Sequence, residues 1–168
     1  TLVAAVQTNC HIADARYAGD LPLCIYLLQM REFYRWEQGL AFGAALASGD
    51  FDGDGVAEER FMFLEKQQQP FGMALHDGTF YVGNADGLIS FDYASGDTKL
   101  ERNKRKLVDF KPGGHWTRSL LLSPDRTKLY AGVGSLSNIA DDGLEAEKGR
   151  ACIYEIDLKS GNSRIFAS

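Results

Sequence analysis

The sequence predicts a mainly β protein: a partial β-propeller of about two to three blades, preceded by an N-terminal α-helical segment. Two observations after residue 50 carry the β part. Short apolar stretches ("GMALH", "TFYVGN", "LISFDY", "KLVDF", "SLLLS", "KLYAGVG", "CIYEIDL", "SRIFA") are separated by the turn sequences "HDG", "NADG", "SGD", "SPDR" and "KSGN". These stretches also repeat. Tyr81-Val82-Gly83 matches Tyr130-Ala131-Gly132 at a spacing of 49 residues, and Ser95-Gly96 matches Ser160-Gly161 at a spacing of 65. The difference places a 16-residue insertion in the second copy, at about Ser135–Arg150. A period near 50 with four strands per unit is that of propeller blades, which bury their faces only by stacking on neighbours.

Residues 1–40 read differently. "LVAAVQ" and its continuation from Asn9 to Arg16 predict a first helix, broken at Gly19. Asp20 can cap a second helix, "LPLCIYLLQMREFYRWEQ", with Pro22 in its first turn and Gly39 as C-cap. The predicted organisation is therefore a helical segment at 1–40, a linker or fusion seam at 41–49, and incomplete propeller blades at 50–168.

Composition narrows the partners. Of the 168 residues, 45% are apolar and 24% charged, enough to build a core. The net charge of −5, with no basic run beyond "ERNKRK", speaks against nucleic acid. The longest apolar run, Leu21–Leu28, is too short for a membrane span, and no signal peptide is visible. Cys10, Cys24 and Cys152 are far apart, which suits buried apolar side chains better than disulfides or zinc. Open blade edges would invite self-association.

"GDFDGDGVAEERF" alternates Asp50, Asp52 and Asp54, then offers the Val56 carbonyl and Glu58. Three carboxylates on a tight turn suit calcium, a hard cation that takes oxygen ligands. An EF-hand would need a glutamate at the twelfth position, which is Phe61, so the expected site is a shorter, structural calcium loop. The competing reading is an acidic, solvated hairpin turn. The insertion carries Asp141, Asp142, Glu145 and Glu147 at irregular spacing, as a solvated loop does.

The pieces "PFGMAL", "HWTRSLLLSPD" and "LYAGVGSLSN" carry a resemblance over Asp50–Ser168 to the soluble pyrroloquinoline-quinone (PQQ) sugar dehydrogenases, in particular the L-sorbosone dehydrogenase-like branch. The resemblance implies a six-bladed propeller holding PQQ and calcium on its top face. It implies oxidation of a sugar or sugar aldehyde by base-assisted hydride transfer to the quinone, in a periplasmic or secreted setting. Carried onto this sequence, it makes His115 the catalytic base. A glutamine that contacts the cofactor falls among Gln67, Gln68 and Gln69, with Gln69 preferred. The arginines and most remaining ligands of the family would lie beyond Ser168, so the chain is expected to be a fragment, inactive alone. Residues 1–40 instead resemble the start of an uncharacterised helical bacterial family.

The residues of "GGHW" are consistent with that role. An imidazole exchanges protons near neutral pH, and two preceding glycines free the backbone to present it. Trp116 could stack on a sugar ring or pack within a blade. The alternative to an enzyme is a non-catalytic, calcium-stabilised β-repeat module used for binding.

Overall fold

The computed structural model describes residues 23–28, 42–49, 59–94 and 97–168. They form antiparallel sheets. The first contains β1 (Leu23–Leu28), β2 (Phe42–Gly49) and β3 (Glu59–Gln68). The second contains β4 (Gly72–His76), β5 (Thr79–Asn84), β6 (Gly87–Asp92) and β7 (Arg105–Asp109), and the third β8 (Leu120–Leu122), β9 (Lys128–Val133), β10 (Cys152–Asp157) and β11 (Ser163–Ala167). Each sheet is a meander in chain order, the arrangement of successive propeller blades.

The second and third sheets are the two copies of the sequence repeat. Tyr81 and Tyr130 fall on the second strand of each, and the 16-residue insertion lies between β9 and β10. Local chemistry closes the hairpins. Asp77 (φ 47°) and Gly78 (φ 66°) form the two-residue turn between β4 and β5, where both central residues take the left-handed region. Between β8 and β9, the Asp125 carboxylate accepts from Ser123 Oγ (2.6 Å) and from the Thr127 amide (3.1 Å), fixing the "SPDR" turn.

Strand alternation divides the core. Phe80, Val82, Ile89 and Phe91 join Phe63, Leu64 and Tyr93 in one cluster between the first and second sheets. The neighbours Tyr81 and Leu88 point the other way, into a second cluster with Val108, Leu129, Ala131 and Ile156 between the second and third sheets. The middle sheet is thus buried on both faces. The opposite face of the third sheet carries the exposed side chains of Leu121, Ile153 and Phe166.

One expectation is corrected. Leu23–Leu28, placed by the sequence in a second helix, is strand β1, paired with β2 from Leu23↔Gly49 to Leu28↔Ala44. A run that is apolar at every position has no helical period, so it serves equally as a strand. Residues 42–49, assigned to a linker, form the strand that pairs with it and with β3. The first expected helix, the remainder of the second and the Asp50–Glu58 loop lie outside the described residues. Among the described residues no helix is long and apolar enough to cross a membrane.

Candidate functional site

The innermost strands of the second and third sheets, β4 and β8, lie side by side, joined by a hydrogen bond from the Gly72 amide to the Arg118 carbonyl (3.0 Å). Gln69 and His115 precede β4 and β8 respectively, so their loops emerge at the same end of adjacent sheets. Phe71 and Trp116 connect the two loops edge to face, with ring centroids 5.8 Å apart at 87°. Trp116 is therefore committed on one side to packing between repeats.

His115 is exposed, and its position is set by the start of the insertion. Its amide donates to the Ser135 carbonyl (3.0 Å), and its Nδ1 lies 3.1 Å from the same oxygen and 3.0 Å from Ser135 Oγ. A carbonyl oxygen can only accept, so the Nδ1 contact is a hydrogen bond in the Nδ1–H form of the ring, which leaves Nε2 with its lone pair; the Ser135 hydroxyl can donate or accept. Such a ring can take a proton from a hydroxyl group. The backbones meet closely here. A Cβ on Gly134 would lie 2.5 Å from the Cβ of His115, and one on Gly114 (φ 61°) would lie 2.5 Å from the Leu136 carbonyl. Only glycine fits either place without displacement.

Two arginines support the loop from inside. Arg118 is fully buried; its Nη1 donates to the carbonyls of His115 (2.7 Å) and Thr117 (3.1 Å), and its Nη2 to those of Ala85 (3.0 Å) and Lys111 (3.1 Å). The guanidinium lies 5.8 Å from the centroid of Phe110. Burial lowers its pKa from the ordinary arginine value, and the Arg150 charge adds to that; an arginine nevertheless stays charged. Arg150, also buried, donates to the carbonyls of Gly113 (2.9 Å) and Pro112. Neither arginine forms an ion pair with a carboxylate among the described residues. Sequence reasoning missed both, because an arginine beside an apolar strand looks the same whether it snorkels outward or is swallowed.

The glutamines separate. Gln67 is buried and spent on structure, accepting from Asn84 Nδ2 (2.9 Å) and donating to the Glu65 carbonyl (2.6 Å). The Gln68 carbonyl accepts from the Ala85 amide (2.8 Å). Gln69 is half-buried with φ 48°, a left-handed turn immediately before Pro70. Beside the His115 loop, an open cleft of about 470 Å³ is lined by Thr117, Ser119, Gly134, Cys152 and Ile153, among others.

Two of the insertion's acids are occupied as well. Glu147 accepts from the amides of Leu136 (2.8 Å) and Ser137 (3.4 Å), and Glu145 pairs with Lys148 (2.6 Å). Among the described residues no group of three His, Cys, Asp or Glu side chains converges on a metal position. His76 sits at the far end of β4, opposite Thr79, away from the His115 loop.

Residues 1–72 match the N-terminal domain of a family of unknown function, DUF6866, and residues 37–167 match the TrAA12-like family. No curated protein sequence matches the chain. Among solved structures, it is similar to the holo form of the pyranose dehydrogenase PQQ domain from Coprinopsis cinerea. That likeness has 20% identity and a TM-score of 0.60 over 71% of this chain and 32% of that one. It is also similar to two structures of the Carbohydrate-Active Enzymes Family AA12 from Trichoderma reesei. The iodide structure gives 16% identity, TM-score 0.60, 95% of this chain and 43% of that one. The calcium structure gives 17%, 0.57, 90% and 40%. The chain thus spans 32–43% of the length of these structures, which share its fold. With the family match extending from β2 to β11, over more than half of the chain, the chain belongs to the TrAA12-like family.

Proposed function

We propose that this chain forms part of a quinoprotein oxidoreductase that oxidises a sugar or sugar aldehyde, with PQQ as cofactor and His115 as the group that takes the substrate's hydroxyl proton. The observation that carries the reading is the 3.1 Å contact between His115 Nδ1 and the Ser135 carbonyl. That contact suits the Nδ1–H form, in which Nε2 is an acceptor on an exposed loop. Family membership and the likeness to a PQQ domain support the choice of cofactor. PQQ is a tricarboxylate, and the two buried guanidinium groups, uncompensated by carboxylates among the described residues, give this end of the sheets the matching positive sense.

When bound, the quinone supplies the two-electron acceptor for the hydride leaving the sugar carbon. His115 Nε2 receives the proton as that hydride departs, and the Ser135 carbonyl stabilises the resulting imidazolium through Nδ1–H. Gln69, on the neighbouring loop, is the glutamine assigned to contact the cofactor. Calcium is assigned to Asp50, Asp52, Asp54, the Val56 carbonyl and Glu58 as a structural ion. The L-sorbosone dehydrogenase-like specificity, and a periplasmic or secreted location, rest on the sequence resemblance.

In this reading the chain supplies only some of the blades, so alone with PQQ and calcium it gives no turnover. Within a completed propeller, dye-linked oxidation of sugars and sugar aldehydes depends on added PQQ. Oxidation that proceeds undiminished without the quinone would contradict the assignment. A second reading, a non-catalytic binding module assembled from several copies, is favoured by one feature: the exposed Leu121, Ile153, Ile165 and Phe166 on the third sheet. It requires sugar binding by a stable oligomer with no oxidation in any context.

A further inference from the structure

Four of the five carbonyls from Lys111 to His115 accept hydrogen bonds from guanidinium groups. Arg118 holds Lys111 and His115; Arg150 holds Pro112 and Gly113. The fifth residue, Gly114, packs against the Ser135–Leu136 backbone. The loop contains Gly113 (φ 91°) and Gly114 (φ 61°), which restrict a free backbone little. Something else must hold it still. Both arginines are buried and lack a carboxylate partner among the described residues, so each bears a desolvation cost that neutral donors would avoid. What a guanidinium offers in return is a rigid, planar fork that bridges two or more acceptors at fixed spacing. Arg118 also reaches Ala85 in the turn of the neighbouring sheet, and Arg150 closes the insertion whose first residue, Ser135, holds the imidazole.

We propose that Arg118 and Arg150 act together as a latch that fixes the imidazole of His115 in the Nδ1–H tautomer, making both of them positioning residues for its Nε2. The role rests on the reading of His115 as proton acceptor, but its physical content is independent of cofactor. Without the latch the loop rotates about its glycines, Nδ1 leaves the Ser135 carbonyl, and the ring moves toward the Nε2–H form favoured by a free side chain.

The test is long-range proton–nitrogen NMR of the full chain labelled with ¹⁵N-histidine, recorded at a pH where imidazoles are neutral. The chain has three histidines, and His115→Gln assigns the signal. The wild type is expected to show the proton on Nδ1 of His115 and a bare Nε2. In Arg150→Lys and Arg118→Lys the two nitrogens move toward a common averaged position, because an ammonium cannot bridge two carbonyls as the fork does. Arg118→Lys, at the centre of the core, is the variant at risk of not folding; Arg150→Lys, or Arg150→Gln in its place, then decides. A wild-type proton on Nε2, or an unchanged tautomer in a folded Arg150 variant, overturns the proposal. The spectra need no quinone. A fixed tautomer in a protein that never oxidises sugar would therefore remove the catalytic role of His115 and leave the latch standing.

Discussion

The Ser135 carbonyl accepts two hydrogen bonds from His115, one from its amide at 3.0 Å and one from its Nδ1 at 3.1 Å. A single peptide oxygen thus positions the ring and favours its Nδ1–H form. The Ser135 hydroxyl, 3.0 Å from Nδ1, is an addition to that arrangement. Ser135→Ala keeps the carbonyl, so kcat in the completed enzyme should fall by no more than about tenfold, the worth of one neutral hydrogen bond. A loss as large as that of His115→Ala would mean the hydroxyl, not the carbonyl, orients the ring.

Gly134 separates sterics from backbone conformation. Its added methyl would lie 2.5 Å from the Cβ of His115 and 3.0 Å from its carbonyl oxygen. Gly134→Ala should move the imidazole off Ser135 at a stability cost of about 1–3 kcal/mol, typical of overpacking. The check is the His115 tautomer together with the urea midpoint. An unmoved ring would show that the loop yields more easily than its contacts suggest.

The double-sided middle sheet should be the least tolerant part of the fold. Leu88 is fully buried between the second and third sheets, and Leu88→Ala should cost about 2–5 kcal/mol in equilibrium unfolding. Leu121, 68% exposed on the open face of the third sheet, should tolerate alanine within about 0.5 kcal/mol. Equal costs would contradict the assignment of that face.

Glu155 gives the third sheet an acid limb. Burial opposes ionisation of its carboxyl. Hydrogen bonds from Arg164 (2.9 Å), Lys128 (3.1 Å) and Tyr130 (3.1 Å) outweigh it and hold the pKa below the ordinary 4.5. A carboxyl lowered in the folded state contributes stability that is full above the unfolded value and is lost as pH falls through the folded one. Unfolding followed from pH 7 downward should therefore show a loss below about pH 4.5 that is smaller in Glu155→Gln. An identical pH profile for the two proteins would contradict the lowered pKa.

The strands after residue 59 were legible because turn chemistry and two-residue alternation agree. "HDG" and "SPDR" close hairpins where expected, and the Tyr81–Tyr130 spacing matches equivalent strands. The stretch "LCIYLL" was not, since it alternates in neither period and a preceding Asp20-Pro22 favours a helix start. Its pairing with β2 is a tertiary fact. Nor does "FGAALASG" advertise a strand, being made of small residues with weak β preference. At the site, His115 was visible through its motif. Its contact with Ser135 was not, because Ser135 lies twenty residues away across the insertion. Arg118 and Arg150 were hidden because burial of a charge depends on carbonyls gathered from other loops.

The most direct test of the proposed chemistry is the single-turnover rate of quinone reduction by His115→Ala and wild type, each in a completed propeller loaded with PQQ and calcium. If His115 Nε2 takes the hydroxyl proton, the variant should bind quinone normally and reduce it roughly 10²–10⁴-fold more slowly. Reduction at the wild-type rate, with quinone binding unchanged, would show that another group is the base.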